Sequence, residues 1–207
     1  RWCEAQGYRC LVIADHVGMS NADVVIPQLV ALCRSLEGKM EMRVRPGAEV
    51  THVRPEIIGE AVRRAREAGA AVVIGHGETI AEPVAPGTNR ALIEAGVDVV
   101  AHPGLISESD ARLAAQKGVA LEVSGRQGHC LTNGHVVRVA RATGAVLVYG
   151  SDGHDCGDYP TREQADLVAR GAGMTRDEIE RMFQNAEDIF MRAGRGLAGS
   201  RSARPRK

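Results

Sequence analysis

The chain has 207 residues, 44% hydrophobic and 25% charged, enough to bury one substantial core in an ordinary globular domain. Basic and acidic residues balance at 26 each and aromatics are only 3%, which weighs against a nucleic-acid-binding surface spanning the domain. No apolar run approaches the ~18 residues of a membrane-spanning helix.

"RWCEAQG" reads as the last turns of a helix closed by Gly7. A helix that opens a βα fold normally follows a strand, so roughly one strand, its loop and a helix start, about 25–35 residues, are expected upstream. Strands are then predicted at Cys10–Ala14, Met42–Val50, Ala71–Gly75, Val97–Ala101, Val119–Ser124 and Ala145–Gly150. Helices are predicted between them, over 22–38, 54–69, 89–96, 107–118 and 133–144, with Pro55 early in the second and glycine ending each. A last helix over 176–194 has Thr175 as N-cap, with Asp177 and Glu178 in its first turn. Beyond it, 194–207 is basic, rich in Gly and Ser and without acids, a solvated tail. The ordered domain is therefore 1–193.

Near-continuous apolar strands alternating with helices imply a parallel sheet covered on both faces. "ADHVGMSN" after the first strand is no dinucleotide fingerprint. Instead each of the six strands carries His, Asp or Glu at or near its C-terminal end: His16, Glu49, His76, His102, Glu122, then Asp152 and His154. In a (β/α) barrel those ends share one rim, where chemistry is placed. An open sheet would spread them along an edge.

One histidine after a strand is most often structural, but three such histidines and an Asp–x–His pair are not readily assigned separately to structural roles. Asp152 and His154 lie two residues apart, as strand alternation needs if both are to point one way. Glu49 sits inside a predicted strand, where a carboxylate is costly unless paired or metal-bound. Glu122 has the same geometry, either behind a ligand or lining the site. His52 lies in a loop within reach of substrate, His129 flanks a helix-capping segment, and His135 belongs to the following helix. Arg126 in "SGRQGH" is either a phosphate grip or an exposed loop arginine. Imidazoles and carboxylates without thiolates suit Zn²⁺, Mn²⁺ or Fe²⁺. The five cysteines (Cys3, Cys10, Cys33, Cys130, Cys156) form no CxxC pair, as in reduced cytoplasmic proteins. With no GxSxG, P-loop or kinase motif, metal-assisted hydrolysis is the reaction class left.

"IADH" (Ile13–His16), "PGAE" (Pro46–Glu49), "HGE" (His76–Glu78), "AHPG" (Ala101–Gly104) and "GSDGH" (Gly150–His154) resemble, in order and spacing, motifs of the PHP (polymerase and histidinol phosphatase) family, nearest its histidinol-phosphatase-like stand-alone branch. The resemblance spans about Gly7 to Met191. It implies a distorted (β/α)7 barrel, here lacking its first strand and that strand's HxH motif, so six strands remain. It implies up to three divalent metal ions at the rim. Glu49 would bridge two of them, His76 and His102 would complete one site, Asp152 would serve another, and His16 and His154 the third. Glu49 and Asp152 would be catalytic, and Arg126, His52 and His129 would contact substrate. Gly153 stands where the family usually has Ala. The implied activity is hydrolysis of a small phosphomonoester by metal-activated water, in the cytoplasm, with no membrane partner and with oligomer formation open. The alternatives are a PHP-type 3′ nuclease and an inactive binding module.

Overall fold

The computed structural model describes residues 2–201. Six strands, β1 (Cys10–Val17), β2 (Arg43–Val50), β3 (Val72–His76), β4 (Val99–Ala101), β5 (Ala120–Ser124) and β6 (Leu147–Gly150), form one sheet in sequential order, every pair parallel. A doubly wound sheet reverses its direction of growth at a switch point. Here each strand adds beside the last, and the sheet curls as a half-barrel. β1 and β6 are its two edges and do not pair.

Period-2 alternation sorts the side chains. Ala48, Val50, Val73, Val100 and Leu121 face outward and are buried with Ile26 of α2 (Ala22–Leu36), Val62 of α3 (Ile58–Ala68), Leu92 of α4 (Thr88–Ala95), Ala114 of α5 (Glu108–Lys117) and Val136 of α6 (Asn133–Thr143). Burying each large aliphatic side chain stabilises the fold by roughly 1.5–3 kcal/mol. A Cβ on Gly75 would meet Leu92, so this glycine lets α4 lie close to β3.

The concave face is divided. Its N-terminal half, from Val12, Val72, Val99, Ala120 and Val148, packs on Ile189 of α8 (Arg176–Arg201), whose Phe190 lies under the Arg45 guanidinium at 4.4 Å. The helix touches both edge strands. Its C-terminal half is left to Glu49, His76, His102 and Glu122.

The six predicted strands are all present, with some ends shifted. β1 runs to Val17, so His16 lies within the strand, paired in register with Glu49. α1 (Trp2–Ala5) is the short opening helix, followed by Gly7 at φ +87°. The unpredicted α7 (Arg162–Gly171) starts from a capping box between Thr161 and Gln164. α8 runs past Gly194 into the segment expected as a tail, and 202–207 lie outside the described residues. Among the described residues no helix is long and apolar enough to cross a membrane.

Candidate metal centre

The strand ends deliver their polar side chains to one buried cluster. His76, His102 and His129 expose 4%, 2% and 4% of their surface, Glu49 7% and Glu122 4%. The His102 ring stacks on His129 at 4.1 Å and meets the His76 ring edge-on at 4.4 Å. Glu49 Oε1 lies 3.7 Å from His102 Nε2, and Asp152 Oδ2 lies 3.6 Å from His129 Nε2. Three overlapping groups hold donor atoms within 4.8 Å of one another: Glu49–His76–His102, His102–His129–Asp152 and His52–His76–Glu82.

The backbone is bent to achieve this. His52, His102 and Asp152 are the non-glycine residues with positive φ among the described residues (52°, 31° and 46°), and all three belong to these groups. Such conformations cost of order 1–3 kcal/mol each and persist where surrounding structure over-determines them. Asp152 and His154 do approach each other, Oδ1 to Nδ1 at 3.7 Å. They do so beyond the end of β6, through the left-handed bend at Asp152, so strand alternation is not what aligns them.

Neighbouring groups fix the rings. The Gly77 carbonyl lies 3.2 Å from His76 Nδ1, so that nitrogen carries the proton and Nε2 offers a lone pair to the centre. Thr79 Oγ1 lies 2.7 Å from His129 Nδ1, and the Ala81 N–H donates to the same hydroxyl. Glu122 Oε2 accepts from the His102 backbone N–H at 2.6 Å, bracing the strained residue from behind. A Cβ on Gly150 would fall on Glu122 Oε1, so a side chain there would displace this carboxylate.

The electrostatics call for a cation. Burial, then repulsion from Asp152, Glu122 and Glu82, pushes Glu49 up to about 8, and burial with Asp152 nearby pushes Glu122 to about 8. Burial and the neighbouring imidazoles hold His102 down at about 2, and burial lowers His76 and His129. The imidazoles therefore stay neutral among carboxylates that repel one another. Glu49 Oε1 and His102 Nδ1 are buried without a hydrogen-bond partner. A divalent ion between Glu49 Oε1 and His102 Nε2, 3.7 Å apart, would answer the first of these, and a set of imidazole and carboxylate donors suits Zn²⁺, Mn²⁺ or Fe²⁺.

Of the six expected ligands, Glu49, His76, His102 and Asp152 enter donor groups. His16 lies beside them, Nε2 to Glu49 Oε2 at 3.6 Å, and His154 lies 5.7 Å from His16 by ring centroid, but among the described residues neither joins a group of three. His154 Nδ1 lies 2.8 Å from Arg126 Nη1, and Arg126 also reaches the Asp152 carboxylate and Asp158. His52 and His129, expected at substrate, stand among the metal-type donors. His135 bonds the Ile106 carbonyl, away from the centre.

Glu82 escaped the sequence reading. It lies in the 77–87 loop, and no spacing rule foresees the loop's path, which is set by long-range ties. Asn89 accepts from the Glu78 N–H and donates to the Pro103 carbonyl, and Thr79 meets His129. The only local signal was an acid in a run of small and apolar residues six positions after His76.

No family model matches the chain. The uncharacterized protein MJ1295 of Methanocaldococcus jannaschii is 35% identical over 175 residues, covering 84% of this chain and 80% of that protein. Among solved structures, a chain of an archaeal ribonuclease P with mature tRNA superposes with a TM-score of 0.70 at 14% identity, over 91% of this chain and 84% of that one. The ochratoxinase of A. niger gives 0.59 at 16% identity, over 91% and 62%. At these identities the structural likenesses establish a shared fold. The sequence identity goes further: the chain belongs to the family of the Methanocaldococcus jannaschii protein MJ1295.

Proposed function

We propose that the chain is a metal-dependent phosphoesterase of the PHP type, acting on a small phosphomonoester. The observation that carries this is the Glu49–His76–His102 group, buried, with Glu49 Oε1 and His102 Nδ1 lacking hydrogen-bond partners, and flanked by Asp152 and His129. When bound there, an ion would supply Lewis-acid activation of water and neutralise phosphoryl oxygens. His76 presents Nε2 because Gly77 holds the proton on Nδ1. Glu122 holds the His102 backbone, and Thr79 orients His129. Arg126, held at the rim by Asp152 and Asp158, offers a guanidinium to an anionic group. His16 and His154, at the same rim, would widen the donor set.

A second reading, a 3′ nuclease or RNA-associated module, draws support from the fold shared with the ribonuclease P chain. The balanced charge of 26 acids and 26 bases weighs against it. Release of inorganic phosphate from small phosphomonoesters, assayed beside 3′ trimming of short oligonucleotides with Mn²⁺, Zn²⁺ or EDTA, separates the two. The phosphatase reading expects metal-dependent phosphate release that Glu49→Gln lowers by at least about 100-fold, the upper end of what loss of an outer-layer partner brings. Oligonucleotide cleavage without phosphatase activity would overturn it.

A further inference from the structure

The third donor group shares His76 with the buried centre, and its Glu82 also approaches His129, Oε1 to Nε2 at 3.7 Å, but through His52 and Glu82 it faces solvent. Glu82 Oε2 is 3.2 Å from His76 Nε2 and 3.8 Å from His52 Nε2, and the His52 and His76 rings are 5.1 Å apart. The burial is graded. The side chains of His52 and Glu82 are 54% and 42% exposed, that of His76 4%, and that of His102 1%. A cavity of about 210 Å³, lined by His52, His76, Val53, Ile58 and Val84, lies alongside. His52 has a left-handed backbone, φ 52°.

His76 Nε2 is the donor common to both positions. Its Nδ1 is committed to the Gly77 carbonyl, so one lone pair faces both Glu82 outside and Glu49 with His102 inside. At 3.2 Å, His76 Nε2 and Glu82 Oε2 are spaced as two ligands of one cation would be. One lone pair serves one ion at a time, so the two donor sets are successive positions for an ion and not two simultaneous sites.

We infer that His52, His76 and Glu82 form an outer cation position through which a divalent metal ion enters and leaves the buried centre, His76 handing it from Glu82 to Glu49 and His102. The inference rests on the reading that the buried centre holds a metal. Glu82 and His52 first replace part of the ion's water shell at the surface. The ion then exchanges those ligands for buried ones while His76 stays bound. The negative Glu82 at the mouth also concentrates cations there.

The test is cobalt uptake by the full chain stripped with chelator, with Co²⁺ followed by its visible absorption, in wild type, Glu82→Gln and His52→Asn. Asn tolerates left-handed backbone at position 52, and both side chains are solvent-exposed, so the variants should fold; matched melting curves confirm it. A transit position raises entry and exit equally. Both variants should therefore fill to the wild-type stoichiometry on the order of tenfold more slowly, and lose Co²⁺ to EDTA more slowly by the same factor. Uptake at the wild-type rate overturns the entry route. Lower affinity with faster loss also overturns it, since Glu82 would then be a resident ligand. Wild type that takes up no Co²⁺ would sink the metal centre itself, a failure distinct from the other two.

Discussion

At the residue scale, the centre depends on side chains outside its donor groups. Thr79 is one. Its hydroxyl meets His129 Nδ1 at 2.7 Å, and partners of this kind fix the ring orientation and basicity of metal-binding histidines. Thr79→Val keeps the shape and removes the bond. We expect metal affinity to fall about 10–100-fold, read by competition with a chromophoric chelator, with little change in the chelated protein's melting temperature. Unchanged affinity would show that packing against His102 alone orients His129. Asp152 and Arg126 make the complementary case. The guanidinium Nε lies 3.5 Å from Asp152 Oδ2, so Arg126→Met should weaken binding of a phosphate product while leaving metal content intact. A loss of metal instead would place Arg126 in holding Asp152.

At the element scale, glycine positions give opposite signs. Gly150→Ala puts a methyl on Glu122 Oε1 at the end of β6, so the carboxylate must leave the His102 N–H and the melting temperature should fall. Gly134, exposed in α6 with nothing nearer than 3.8 Å to an added Cβ, should gain about 0.5 kcal/mol as Ala, because Gly loses more backbone entropy in a helix. If both substitutions destabilised alike, the close packing claimed behind His102 would not be what distinguishes them. The elements themselves were legible, because apolar strands alternate with glycine-closed helices. Ser107 is the N-cap of α5, its hydroxyl accepting from the Asp110 N–H. The helix over 162–171 was not legible, since its buried stripe is only Ala165 and Ala169 while Leu167 is 61% exposed. Glu49, His76 and His102 could be read because short-range register places them. Glu82 and the inward turn of His129 depend on contacts 50 residues apart in sequence, such as Thr79 with His129.

At the scale of the whole molecule, a half-barrel collects carboxylates and neutral imidazoles at one rim, and this makes stability depend on pH and metal together. Glu49 and Glu122 titrate at about 8 in the fold against an ordinary 4.5. The fold favours their neutral forms, so their contribution is complete below about 4.5 and is lost as pH rises through about 8. His102, held at about 2 against an ordinary 6.5, acts oppositely, but only below about 6.5. Between 6.5 and 8 the carboxylates act alone. The chelated protein should therefore melt lower at pH 8.5 than at pH 6.5, and added Zn²⁺ or Mn²⁺ should remove most of that difference by stabilising the charged carboxylates. An equal melting temperature at both pH values in EDTA would contradict the burial of two uncompensated carboxylates.

Elemental analysis of the protein purified without chelators, wild type beside Glu49→Gln, shows whether this rim holds a metal. At least about one Zn, Mn or Fe per wild-type chain is expected from a donor set of this kind, and far less in the variant. Wild type free of these metals, and unchanged in melting temperature when they are added, would contradict a metal site there.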